Sequence, residues 1–251
     1  MPFNVGEISF INYLPFCAGG GYPAACDVVR DYPARLNNLC RKGMLDVSPI
    51  SFYAFKDISK DYEILSNFTI ACFGAVDSVK LYANCEIEGL KSARIFFTEK
   101  SESSIAAFSA VCKYKHGFDP RENACFNPAE ADAAFLIGDD VFAYKSAYKK
   151  AFDIGALWSE TFGSPMVFSV IAAKKSLPRG VKNDFISHYE NSLKIFFADI
   201  DKFSKIAAER FSGADGGLAP ERAKSYFLRL SYRSEMSAIK KAQEILNGKF
   251  D

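Results

Sequence analysis

Short apolar runs recur along this chain, each parted from the next by an amphipathic stretch, and that alternation constrains the fold more than any other feature. Runs at 5–10, 45–49, 78–83, 93–98, 132–137 and 166–172 have the length and apolar continuity of buried strands. Between them, PARLNNLCRKG at 33–43 predicts a helix with Pro33 in its first turn and Gly43 as its C-cap. Ser101 to Lys115 predicts a second helix, opened by a Ser-Glu-Ser-Ser cluster suited to N-capping, and about Asp139 to Lys150 a third. Strands alternating with helices imply an α/β fold with mostly parallel pairing.

The last third changes character. Phe185, Tyr189, Leu193, Phe196, Ile200, Phe203 and Ala207 recur every three or four positions, which predicts one long helix over 181–211. Beyond SGADGGLAPER, two more helices are expected at 219–231 and 234–246, the second capped by Ser234 and ended near Gly248. A chain of 251 residues can form one large domain or two lobes of about 100 to 150 residues each. The polar or small-residue breaks at 83–88 and 162–166 are the best crossing points between two lobes. Residues 1–83 and 166–251 then form a discontinuous first lobe, and 84–165 an inserted second one.

Composition narrows the partners. Net charge is +1 with 24% charged residues, so the electrostatic footprint of a nucleic-acid or membrane-surface binder is missing and a small-molecule ligand is favoured. The longest apolar run, MVFSVIAA at 166–173, is far below the roughly 20 residues of a membrane-spanning helix. MPFNVGEISF has neither the basic nor the apolar region of an export signal, which points to the cytoplasm. Seven cysteines with no CxxC pair are expected to be reduced thiols, mostly buried. The 24 phenylalanines are scattered rather than interleaved with basic clusters and belong to the core.

Familiar catalytic devices are scarce. The two histidines, His116 and His188, stand far apart without metal-ligand spacing and are expected on helix surfaces, so no metal is expected. There is no nucleophile elbow and no Walker motif, and GGGYPA at 19–24 matches a dinucleotide pattern only formally, because Pro23 spoils the strand-turn-helix geometry. What remains is a set of small polar residues at strand ends and helix starts: Asn12 and Tyr13, Ser48 and Ser51, Ser78, then Ser101, Ser103 and Ser104. Any one of them is explained by capping or turn formation. Together, in a two-lobed α/β chain, they fit a cleft for a small carboxylate-bearing ligand, with helix N-termini supplying the anion recognition.

The ordered segments GEISFINYLPF, GMLDVSPIS, GAVDSVKLYA, TEKSESSIAAF, ADAAFLIGDD and FDIGALWSETFGSPMVFSVIAA resemble the MqnA family, the chorismate dehydratases of the futalosine route to menaquinone. The likeness covers about residues 5–173, and YFLRLSYRSEMSAIKKAQEIL at 226–246 is similar to the family's end. It implies a type II periplasmic-binding-protein fold, two α/β lobes around a ligand cleft. It also implies a lyase that converts chorismate to 3-[(1-carboxyvinyl)oxy]benzoate and water without a metal or organic cofactor, the substrate's own enolpyruvyl carboxylate acting as base. By the same resemblance Asn12 and Ser78 handle the reacting centre, Ser48 and Ser51 border the Pro-Ile-Ser motif as substrate-binding residues, and Ser103 and Ser104 stand at a helix start whose N–H groups receive a substrate carboxylate; Ser101, from the same capping cluster, is expected to bind substrate with them. Asp139 falls on the family's Ile-Gly-Asp motif as a residue that shapes the site.

Two positions depart from the family pattern. Tyr13 is expected to crowd or cap a pocket that usually meets a smaller side chain. Glu102 stands where a small residue is usual, and a carboxylate there would repel a dianionic substrate unless it points to solvent. Other readings stay open at this point: a solute receptor of the same fold, the later dihydroxynaphthoate-forming enzyme of the route, whose Cys-Pro-Asn-Asp-type motif is missing, and a cytoplasmic ligand sensor. The sequence leaves the oligomeric state undetermined.

Overall fold

Residues 2–211 and 217–250 are described in a computed structural model of the chain. The first apolar run forms β1 (Phe3–Ile8), which pairs in parallel with β2 (Cys26–Asp31) over six residues and with β3 (Val47–Ser51) at Val5↔Val47. Pro49 has no N–H to offer a neighbour, which explains why the ladder between β1 and β3 stops so early. The chain continues through β4 (Tyr62–Cys72), then β5 (Val79–Ala83), β6 (Ile95–Phe97), β7 (Ala124–Cys125), β8 (Ala133–Ile137) and β9 (Lys150–Asp153). It closes with β10 (Met166–Lys174) and β11 (Leu230–Arg233). Among the described residues these strands make two sheets, a six-stranded one in the order β11-β4-β10-β3-β1-β2 and a five-stranded one in the order β7-β6-β8-β5-β9.

The helices in chain order are α1 (Leu14–Cys17), α2 (Pro33–Arg41), α3 (Phe55–Ile58), α4 (Ser103–His116), α5 (Asp139–Ala143) and α6 (Ile154–Phe162). They are followed by α7 (Arg179–Ala198), α8 (Ile200–Glu209), α9 (Pro220–Arg229) and α10 (Met236–Leu246). Pro33 opens α2 as its composition suggests, and Gly43, at φ +67°, donates its N–H to the Cys40 carbonyl at 2.9 Å just past the helix end. An aromatic core lies behind the six-stranded sheet, where Phe16 packs edge-on against Phe68, Tyr189 and Tyr232.

Several expectations are corrected. The helix expected over 181–211 is two helices, α7 and α8. They are broken at Asp199, which leaves helical geometry (φ −139°, ψ 56°) and caps α8 by accepting from Lys202 N at 3.2 Å. Its apolar period runs on because Phe196 and Phe203 stack across the break at 5.0 Å. The helix from Asp139 ends at Ala143. Ser234 does not cap α10; Glu235 holds that position and the Ser234 hydroxyl bonds Thr69 Oγ1 at 2.8 Å. Pairing is mixed rather than mostly parallel, because β10 returns antiparallel to both β3 and β4, and β5 is antiparallel to β8 and β9. Val79–Ala83, expected with residues 1–83 in the first lobe, is a central strand of the five-stranded sheet. His188 is half-buried rather than on the surface: its ring lies 4.8 Å from that of Tyr22 and its Nε2 is buried. All seven cysteines are free, but only three are fully buried.

The two passages between the sheets are stitched to each other. Asp153 accepts from Val76 N at 3.0 Å, Asp77 N at 2.7 Å and Ala156 N at 3.1 Å, so one carboxylate caps α6 and holds the outgoing segment. Ser159 Oγ accepts from Gly74 N at 2.7 Å. Among the described residues no helix is long and apolar enough to cross a membrane.

Candidate functional site

Where the carboxyl ends of β1 and β3 face the start of β5 and the end of β8, the two sheets leave a cleft with about 470 Å³ of empty space, its mouth included. Openings of this kind, beyond the carboxyl ends of strands, are where α/β sheets commonly bind ligands. Among the described residues, no charged side chain lines it. Asn12, Ser51, Ser78, Ser101, Ser104, Ser169 and Tyr226 supply its polar groups, set among apolar side chains such as Phe10 and Phe168.

Asn12 sits in a single 3-10 turn (Ile11–Tyr13) that follows β1. The turn is pinned from the five-stranded sheet, because Asp139 Oδ1 accepts from Ile11 N at 3.1 Å. Phe10 lies against Gly138 so closely that a Cβ there would fall 2.6 Å from its ring, and Gly138 has φ +60°; only glycine fits both conditions. The turn then sends consecutive side chains in opposite directions. Asn12 faces the cleft, and its Oδ1 is buried without a hydrogen-bond partner. Tyr13 enters the core, 1% exposed, with its ring 5.3 Å from that of Phe16.

The opposite wall is built around Ser78 and Tyr226. The Tyr226 hydroxyl donates to Ser78 Oγ at 2.9 Å, which leaves the serine's own proton free to point into the cleft. Burial pushes the Tyr226 phenol well above its ordinary value, while the Ser78 and Asn12 side chains pull the other way, so the phenol stays a neutral donor. Ser169, on β10 directly opposite Ser51, adds a buried hydroxyl that also lacks a partner. At the start of α4, Ser101 Oγ accepts from Ser104 N at 3.2 Å, and the first-turn amides give this end of the cleft a positive dipole.

Of the residues singled out in the sequence, Asn12, Ser51, Ser78, Ser101 and Ser104 are brought together here. Tyr13, Ser48, Ser103 and Asp139 are not among the lining residues. Tyr13 neither crowds nor caps the pocket, because the turn directs it into the aromatic core. Ser48 is fully buried and donates to the Pro49 carbonyl at 2.8 Å, packed where Gly6 leaves room. Ser103 Oγ accepts from Tyr53 N at 2.9 Å. Asp139 is spent on the Ile11 amide, and burial raises its carboxyl to about 6 against the Ile11 N–H and the nearby Arg210. Glu102 turns away from the cleft, accepting from Arg41 at 2.6 Å and from Asn37 at 2.7 Å, so its charge is matched before it reaches a ligand.

Sequence reasoning missed Tyr226 and Ser169. Ser169 interrupts the apolar run MVFSVIAA, and a polar residue in a buried strand is itself a signal. Tyr226 gives no such sign, since a tyrosine on the inner face of a helix is ordinary core.

The family model described as menaquinone biosynthesis matches residues 3–246. A chorismate dehydratase of Thermus thermophilus is 26% identical over 171 residues, a match that spans 60% of this chain and 62%, less than two thirds, of that relative. A solved protein of Archaeoglobus fulgidus superposes with a TM-score of 0.75 at 19% identity, covering 99% of this chain and 97% of that one. A Candida albicans protein described as exhibiting the generic periplasmic binding protein fold gives 0.67 at 16% identity, covering 99% and 90%. The alkanesulfonate-binding protein of Xanthomonas axonopodis, bound to MOPS, gives 0.63 at 14%, covering 97% and 90%. The fold is therefore that of periplasmic binding proteins, two α/β lobes around a cleft.

Proposed function

Because the chain belongs to the menaquinone-biosynthesis family, we propose that its cleft dehydrates chorismate to 3-[(1-carboxyvinyl)oxy]benzoate. The observation that carries this reading is the Asn12 amide oxygen, buried without a partner in a neutral, polar-lined cleft beside the Ser78–Tyr226 pair. A buried acceptor left unmatched by the protein is a place for a ligand to bond.

In the reaction the ring C–H bond beside the enolpyruvyl ether and the neighbouring ring C–OH bond both break, a double bond forms, and the ring becomes aromatic. The leaving hydroxide takes up the proton to give water. Aromatisation supplies the driving force, so the protein's task is orientation and stabilisation of developing charge. The α4 start, with Ser101 and Ser104, suits a substrate carboxylate. Ser78, whose proton is directed outward by the Tyr226 hydrogen bond, can donate to the departing hydroxyl. Asn12 holds the other side of the reacting ring through its amide. Among the described residues the lining offers no carboxylate or imidazole to act as base, which agrees with a proton removed by the substrate's own enolpyruvyl carboxylate. On this reading residues 79–153 form the inserted lobe, and the contacts of Asp153 and Ser159 with 74–77 form the hinge.

The same uncharged lining favours one other reading, a protein that binds a small carboxylate or aromatic ligand and releases it unchanged. Incubating the purified protein with chorismate separates the two. Loss of the diene absorbance with appearance of the enolpyruvyl benzoate is expected; saturable binding with no product would establish the receptor instead.

A further inference from the structure

The connection after β3 and the connection after β6 meet at a second opening, with about 650 Å³ of empty space, its mouth included. Tyr53 and Lys56 line it from the first connection, Ser109, Lys113 and Arg121 from the second, and Phe250 from beyond α10. Every charged side chain in that lining is a cation.

One carboxylate meets them. Asp119, its side chain 12% exposed, lies 2.6 Å from Arg121 Nη2 and 2.9 Å from Lys113 Nζ, and accepts from Ser109 Oγ at 2.8 Å. Burial alone would raise its carboxyl, but these donors outweigh it and hold the group well below the usual carboxylate range. Asp119 is thus an anion, and it balances one of the three cations. Lys56 has no carboxylate partner among the described residues; its Nζ stands 3.8 Å from the centre of the Tyr53 ring. Arg121 commits Nε and Nη2 to Asp119. Lys56 also draws the Tyr53 phenol below its ordinary value, against partial burial and with help from Arg121.

We propose that this opening binds a phosphate group, carried by inorganic phosphate or by a small phosphate monoester. Among the described residues, three cations facing one carboxylate leave two positive charges unmatched, and a phosphate group carries about −1.5 to −2 at neutral pH, whereas a single carboxylate would leave one of them over. The tetrahedral oxygens suit two lysine ammonium groups together with the guanidinium charge of Arg121, whose fork is held by Asp119. The Tyr53 and Phe250 rings beside them give the body of a monoester an apolar surface. A phosphate held here would join the two connections, and so the layers of both sheets. The opening's wall also adjoins the cleft's, since Tyr53, two positions after the cleft residue Ser51, donates its N–H to Ser103 Oγ, next to the cleft residue Ser104.

The test is calorimetric titration of the full chain with inorganic phosphate and, separately, with phenyl phosphate. Saturable binding is expected, weakening as salt is raised. It should fall about tenfold or more in the Lys56→Ala, Lys113→Ala double variant, which loses two charge-assisted contacts. The single Lys56→Glu change alters an exposed residue without an ion pair and gives the same loss if the double variant melts early. Equal affinity for both probes assigns free phosphate; tighter phenyl phosphate assigns a monoester. Absence of saturable binding, or unchanged affinity in both variants, overturns the proposal.

Discussion

The cleft and the aromatic core behind it both contain buried polar atoms without partners, and they mean opposite things. In the cleft these are Asn12 Oδ1 and Ser169 Oγ; in the core they include the hydroxyls of Tyr13, Tyr189 and Tyr232. A group unmatched beside an open space can be satisfied by a ligand. A group unmatched among close-packed rings has nothing to gain when a ligand arrives, and its desolvation stands as a standing cost to the fold of about 1–3 kcal/mol. Burial and partner count alone do not separate function from imperfect packing; the neighbouring space does. The contrast is sharpest at Asn12 and Tyr13, adjacent residues of one turn that face the two regions.

The largest effect should come from Asn12→Ala. Turnover of chorismate is expected to fall about 100-fold or more, the scale of losing one preorganised polar contact at a reacting centre, while the melting temperature barely moves. Parallel losses in rate and stability would make Asn12 a turn former and erase the distinction. Gly138→Ala tests whether the two regions can be separated mechanically. A methyl group 2.6 Å from the Phe10 ring, at a φ of +60°, should destabilise by about 2–3 kcal/mol in urea denaturation and weaken ligand binding as Phe10 is displaced.

Asp139→Asn touches the anchor of the same turn. Its carboxyl titrates near 6, above the usual carboxylate value, so its favourable contribution is complete below about pH 4 and is lost as pH rises through 6. Asparagine can still accept from Ile11 N without carrying a charge. The variant should therefore match the parent at pH 4 and exceed it by about 1–2 kcal/mol at pH 8, as read from denaturation at both values. A stability difference independent of pH would mean that the carboxylate is better matched than its burial implies. The smallest effect is expected of Tyr13→Phe: stability within about 1 kcal/mol of the parent or slightly higher, and turnover unchanged. A loss of turnover would move Tyr13 into the site after all.

Much of this was legible in the sequence. The alternating runs gave the α/β class, and the serines at strand ends and the α4 start led to the cleft, because backbone ends and caps are written locally. What was not legible depends on direction and partner. Asn12 and Tyr13 read alike as polar residues at a strand end, and only the pin from Asp139, 128 positions away, decides which one faces the ligand. Ser48 and Ser51 flank the same Pro-Ile pair, yet Ser51 lines the cleft while Ser48 is absorbed by its own strand. β4 escaped notice because YEILSNFTIAC breaks its alternation at Ser66, which takes a φ of +60° opposite a shift of register in β10. The break at Asp199 was hidden by aromatic stacking that keeps the apolar period intact.

The place of β10 has a consequence for synthesis. It lies between β3 and β4 and pairs with both, so until residues 166–174 leave the ribosome the six-stranded sheet exists as two unjoined pieces. The five-stranded sheet is built wholly from residues 79–153 and is complete before β10 is made. Nascent chains stalled at successive lengths should therefore gain protease resistance first in the 79–153 region and only later in 3–72. The part of the molecule that begins the chain is the part that finishes folding last.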